Sequence, residues 1–179
     1  MRIVQTCSAR RLTRGLVLAA LALATASSAA PAPPRAAGPQ EAEVVAVMLD
    51  PRTSTPAVVL QGKRDGRRLA MSIGPAEATG IAVPLQGVTP PRPLTHDLFL
   101  TMFGRLNVAV DRVVIHDLRD NIYYATVYLK AGGGPMELDA RPSDAIALAV
   151  RAGAPVLVED RVFDKSGGDG ADPPSRSHI

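Results

Sequence analysis

Cysteine is almost missing from this chain: Cys7 is the only one among 179 residues. It precedes an apolar run, so it is not placed as a lipoprotein acylation site. If the first 29 residues are removed on export, no thiol remains. The rest of the chain then has no disulfide, no thiol nucleophile and no cysteine-based zinc site. Tryptophan is absent and aromatic residues make up 3%. Stacking platforms for unpaired bases are therefore scarce. A P-loop, a dinucleotide fingerprint, a metalloprotease helix and a serine-nucleophile elbow are all missing. Those enzyme classes drop out.

No apolar run is long enough to span a bilayer, which takes about 20 residues. Leu16 to Ala24 supplies nine. Arg10, Arg11 and Arg14 come before it, and small residues from Thr25 to Ala30 come after. Basic, apolar and small segments in that order form an export signal. The expectation is a signal at residues 1–29, cut after Ala29. The product is then periplasmic or extracellular, with no stable membrane anchor. An uncleaved anchor is the alternative. The whole chain has 20 Lys and Arg against 17 Asp and Glu. Four of the arginines, Arg2, Arg10, Arg11 and Arg14, lie in the signal, leaving 16 against 17 and a net charge of −1. Net charge thus gives no support to nucleic-acid binding by the mature chain.

Residues 30–42 are rich in Pro and Ala and read as a linker. Residues 165–179 are rich in Gly, Pro, Ser and Asp and read as a disordered tail. His178 in that tail is discounted as a ligand. A single folded domain is expected over residues 43–164. Glu43 to Leu49, Ala57 to Leu60 and Leu69 to Ile73 read as strands, with Asp65-Gly66 as the turn of a hairpin. Pro75 opens a helix, which Pro84 should keep short. Thr95 can cap a second helix, whose apolar face would be Leu98, Phe99, Met102, Phe103 and Leu106. Gly153 stops a third helix, and a short strand follows from Pro155 to Val158.

The two halves of the domain match at an offset of 67 residues (142 − 75). Asp50 falls on Asp117, Pro75 on Pro142, Glu77 on Asp144 and Ala78 on Ala145. This points to a duplicated β-β-β-α unit. The expected fold is α+β, a mostly antiparallel or mixed sheet with packed helices and an extra linking helix.

Three stretches are distinctive: Ile73 to Ala78 (IGPAEA), Arg92 to Leu98 (RPLTHDL) and Asp139 to Ala149 (DARPSDAIALA). Their order and separation resemble the bifunctional nuclease domain family, over nearly all of residues 43–162. Pro84 departs from the family pattern. The resemblance implies hydrolysis of phosphodiester bonds in DNA, RNA or both, with nucleic acid as the partner.

Such chemistry needs an activated water, stabilised charge and a protonated leaving oxygen. His96, Asp97, Asp139 and Arg141 are the candidate catalytic residues. Arg92, Lys63 and Arg64 are candidate substrate contacts, the last two on a basic turn with Arg67 and Arg68. Glu77 and Asp144 are candidate ligands for Mg²⁺ or Mn²⁺. Several have structural readings too. Glu77, Asp97 and Asp144 fall in first helical turns, where acids favour the positive helix end. Asp139 and Arg141 can form a structural pair, and the basic turn can be a solvated hairpin tip. His116 reads as a packed strand residue. The alternative function is a non-catalytic binding or assembly module of the cell envelope. A homo-oligomer is compatible with either.

Overall fold

The computed structural model describes residues 38–167, apart from Arg52. The expected signal at 1–29, residues 30–37 of the linker and residues 168–179 of the tail lie outside the described residues. The first half contains strands β1 (Gln40–Leu49), β2 (Pro56–Gly62) and β3 (Arg68–Ser72), then helix α1 (Pro75–Leu85). Helix α2 (Thr95–Arg105) connects to the second half. That half contains β4 (Ala109–Arg119), β5 (Ile122–Ala131), β6 (Gly134–Ala140) and helix α3 (Pro142–Ala152). Strand β7 (Val156–Val158) and helix α4 (Asp160–Ser166) complete it.

All seven strands form one sheet in the order β3-β2-β1-β7-β4-β5-β6. Strands β4 and β7 run parallel, and the other neighbours run antiparallel. The fold is therefore α+β with a mixed sheet. Each half is a β-β-β-α unit, and α1 falls on α3 end for end at the 67-residue offset. Strand β7 joins the halves, pairing with β1 on one side and β4 on the other.

Turn chemistry accounts for the hairpins. Gly66 has φ 72°, a left-handed conformation that favours glycine, so Asp65-Gly66 turns β2 into β3. Asp120 and Asn121 both have positive φ, 49° and 62°, and close the β4–β5 hairpin as a two-residue turn. Gly153 at φ 64° ends α3. The core is built from Leu60, Leu69, Ile81, Ile115, Ile146 and Val158, all essentially inaccessible. Each such side chain contributes about 1.5–3 kcal/mol of burial.

The structure differs from the sequence expectations in five places. Strand β1 begins at Gln40 rather than Glu43, because the buried Gln40 amide ties the chain to the β2–β3 turn. It donates to Asp65 at 3.1 Å and accepts from the Arg64 N–H at 3.2 Å. Order also continues past Asp164, since Lys165 in α4 lies 2.7 Å from the Asp117 carboxylate. Helix α1 is not shortened by Pro84 but matches α3 at 11 residues. Pro84 falls in its last turn, and its missing N–H removes one bond only, to the Gly80 carbonyl. Leu94, not Thr95, is the N-cap of α2, and the Asp97 carboxylate accepts the Leu94 N–H at 2.8 Å. The expected apolar face of α2 packs only in part. Phe103 and Leu100 reach the core, whereas Leu98, Phe99, Met102 and Leu106 are exposed.

Candidate functional site

Duplication places the N-termini of α1 and α3 in one neighbourhood, and α2 adds a third. Ala76 and Glu77 from α1, Thr95 and His96 from α2, and Arg141 and Asp144 from α3 line a cleft of about 440 Å³. Three helix N-termini carry unpaired N–H groups and partial positive charge toward this space. Pro75 and Pro142 open α1 and α3, so their usable N–H groups begin at the second helical residue.

Arg141 is the N-cap of α3, and its side chain folds back over the first turn. Its Nε donates to Asp144 Oδ2 at 2.7 Å, and its Nη2 donates to Asp144 Oδ1 at 3.2 Å. Its Nη1 lies 2.9 Å from Glu77 Oε1. Glu77 and Asp144 occupy equivalent positions of the two repeats, so one guanidinium bridges the pair. Arg141 remains 65% exposed and keeps N–H groups for a ligand, since a guanidinium has five donors.

His96 lies at the second position of α2, with its side chain 15% exposed. Its Nε2 is 3.4 Å from Asp144 Oδ1, longer than a full-strength hydrogen bond. The ring rests against α1 at Gly80. A Cβ there would meet the ring Cε1 at 3.0 Å and Nδ1 at 3.3 Å. A side chain at position 80 would push the ring away by a few tenths of an ångström. Burial pushes the Asp144 carboxyl up, but hydrogen bonds and charge from Arg141 and His96 outweigh it. Its pKa is therefore below the usual carboxylate value, and the group is ionised at neutral pH.

Asp97 follows His96 in sequence but has a different task. Its Oδ2 accepts the Leu94 N–H, and its Oδ1 accepts from Arg151 Nε at 2.7 Å. Burial raises the pKa of Asp97, while the Leu94 and Arg151 bonds lower it further than burial raises it. Arg151 is 6% exposed, and its Nη1 donates to the carbonyls of Gly80 and Ala147. The Gly80 carbonyl needs that donor. Pro84, four residues on, has no N–H to offer it. At the 67-residue offset Gly80 falls on Ala147, and Pro84 on Arg151 itself. Arg151 thus repairs the gap that its own counterpart leaves, and Asp97 holds it in place.

The structure brings together His96, Arg141, Glu77 and Asp144. Asp97 and Asp139, the other two candidate catalytic residues, do not line this cleft. Strand β6 ends at Ala140, where the chain turns into α3, so Asp139 and Arg141 do not share a side. Asp139 is exposed opposite Thr126, on the face away from core-packed Ala140. Arg92 is exposed in the α1–α2 connection and does not line the cleft. Lys63 pairs with Glu41, and Arg64 donates to Asp160 at 2.6 Å and 2.7 Å. Both are on the β2–β3 turn. His116 is a half-buried residue of β4 whose carbonyl accepts from Arg161. The sequence reading missed Gly80 and Arg151. The spacing of Gly80 and Pro84 was the available signal, because a proline at i+4 leaves a carbonyl to be satisfied.

Among the described residues no three His, Asp or Glu side chains are grouped as a metal site. Glu77 and Asp144, the expected ligands of Mg²⁺ or Mn²⁺, share the Arg141 guanidinium instead. As placed, with the Arg141 guanidinium between the two carboxylates, this donor set does not fit a divalent cation.

The bifunctional nuclease domain profile matches residues 58–169, from β2 through α4, including every side chain of this cleft. The chain belongs to the bifunctional nuclease domain family. Uncharacterized protein Rv1829 of Mycobacterium tuberculosis is 36% identical over 127 residues, which cover 71% of this chain and 76% of that protein. Bifunctional nuclease 1 of Oryza sativa subsp. japonica is 33% identical over 136 residues. Bifunctional nuclease of Oryza minuta shows the same identity over the same length. The alignment covers 72% of this chain and 41% of each rice protein. Within the family domain, the cleft uses residues from all three of the stretches that carried the resemblance.

Proposed function

We propose that this bifunctional nuclease domain hydrolyses phosphodiester bonds of DNA or RNA at the cleft between α1, α2 and α3. The observation that carries the reading is the meeting of a histidine, a bridging arginine and three helix N-termini at one opening. Arg141 and the helix N–H groups hold the non-bridging phosphate oxygens. The His96 imidazole takes the proton of the attacking water as its oxygen bonds to phosphorus. The ionised Asp144, held by Arg141, faces the imidazolium that results. The bond to the leaving nucleotide breaks, and the leaving oxygen takes its proton from solvent. No step of this scheme runs through a metal ion.

A binding module of the cell envelope without turnover is the second reading. What favours it is that His96, Glu77, Arg141 and Asp144 all have protein partners already. Turnover separates the two. The purified chain is incubated with single- and double-stranded DNA and RNA, with chelator and with added Mg²⁺ or Mn²⁺. Product formation in chelator supports the scheme above. Product that forms only with added metal would replace His96 by a metal-bound water as the nucleophile source. Saturable binding without product supports the second reading.

Export to the periplasm or medium remains part of the proposal, on the strength of the basic, apolar and small segments at the start. N-terminal sequencing of the protein from its host should read from near Ala30. A retained Met1 would contradict it.

A further inference from the structure

We propose that a second cleft, beside the first, receives the base of the nucleotide next to the bound phosphate, so that the preferred substrate is an unpaired strand. This rests on the phosphodiester reading above. The second cleft has a volume of about 300 Å³ and lies between the end of β3, the start of α1 and the β4–β5 turn. It shares Glu77 and Arg141 with the first cleft. The bridging pair therefore stands between two adjoining spaces, and a ligand anchored on the Arg141 guanidinium can extend into either.

The two spaces differ in chemistry. The first holds the ionisable His96 and Asp144. The second presents the apolar side chains of Ile73, Ile122 and Tyr123 with the amide of Asn121 and the hydroxyl of Ser72. Apolar walls with a few polar groups are what a small flat ligand needs. Ile122 is 57% exposed, and nothing in the core requires it to be apolar. Asn121 is fixed in the tight turn at φ 62°. An asparagine amide offers a donor and an acceptor, which matches the edge of a base. A base stacked and paired in a duplex cannot enter such a slot, whereas a base of a single strand can.

Fluorescence anisotropy tests this with a labelled single-stranded hexamer, the same hexamer as a duplex, and the same backbone without bases. DNA and RNA versions of each distinguish the sugar. The wild-type chain is expected to bind the single strand about tenfold tighter than the other two, the size of one stacked base. Ile122→Ala and Asn121→Gly should cut that preference to about twofold and leave binding of the baseless strand unchanged. Glycine suits the left-handed turn position and Ile122 is exposed, so both variants should fold, which circular dichroism verifies. Equal binding of all three ligands, or a preference that survives both substitutions, overturns the proposal. If the preference is present and sensitive to both variants but no strand is cleaved, the subsite stands and the nuclease reading fails. If strands are cleaved with no preference, the nuclease reading stands and the subsite fails.

Discussion

At Gly80, the absence of a side chain sets where the His96 ring lies. The His96 ring is held between α1 and Asp144, and an added Cβ would come within 3.0 Å of it. Gly80→Ala should raise helix propensity by up to about 1 kcal/mol and displace the ring by a few tenths of an ångström. We expect a melting temperature that is unchanged or slightly higher, with kcat/KM down about tenfold. Full activity in this variant would mean that ring placement does not matter. Arg141→Lys keeps the charge but loses the bridge between Glu77 and Asp144. It should raise KM for a nucleic-acid substrate by about tenfold, which steady-state kinetics reads directly. Much of this cleft was legible from the sequence. Glu77, His96, Arg141 and Asp144 lie in stretches whose polarity and helix-start context singled them out. Asp97 does not line the cleft with His96 because adjacent helical residues point about 100° apart. One faces the cleft and the next faces Arg151. Asp139 lies outside the cleft because it belongs to β6, which ends at Ala140, whereas Arg141 already belongs to the start of α3.

Helix α2 contributes His96, and a partly buried ion pair sets its position. Asp97 caps α2 and holds Arg151 of α3, which in turn closes the carbonyl of Gly80 in α1. Asp97→Ala leaves Arg151 without its carboxylate and α2 without its cap contact. A loss of about 2 kcal/mol is expected, discounted from the buried-pair range because Asp97 is about one-third exposed. Arg151→Met should cost a similar amount, about 1–3 kcal/mol, by orphaning the Gly80 carbonyl. The two changes share one interaction, so the double variant should lose less than their sum. Urea denaturation of the four proteins checks this, and strict additivity would show that the residues act separately. The elements themselves were readable because their punctuation is strong: Asp65-Gly66, Pro75, Pro142 and Gly153 all mark real boundaries. The length of α1 was not readable, because the acceptor that Pro84 orphans finds its donor 71 residues away. Such a partner belongs to tertiary structure and leaves no local trace.

In the molecule as a whole, a duplicated unit builds one sheet and gathers three helix N-termini at one opening, and α4 is clasped to its frame. Asp117 is buried in β4 and bonded by Lys165 of α4 and by Arg119. The Lys165 bond first, and the Arg119 bond next, hold its carboxyl well below the usual range. A depressed carboxylate stabilises the fold above its unfolded pKa of about 3.9 and loses that contribution as pH falls toward the folded value. Asp117→Asn should therefore lower the melting temperature at pH 7 and make progressively less difference below about pH 4. A gap between the two proteins that stays constant down to pH 2 would contradict this. The seven-strand order was not legible, since β7 is three residues long and its place between β1 and β4 depends on pairings distant in sequence. The duplication was legible, because it repeats Pro-x-acid-Ala at the start of both α1 and α3. The central claim is that this duplicated frame carries a nuclease site centred on His96. The most direct measurement compares wild-type and His96→Asn chains in cleavage of single-stranded DNA and RNA, with melting temperatures taken on the same samples. The account predicts a loss of about 100-fold or more in rate with the melting temperature little changed. Equal cleavage by both proteins, or no cleavage by the wild type, would contradict it.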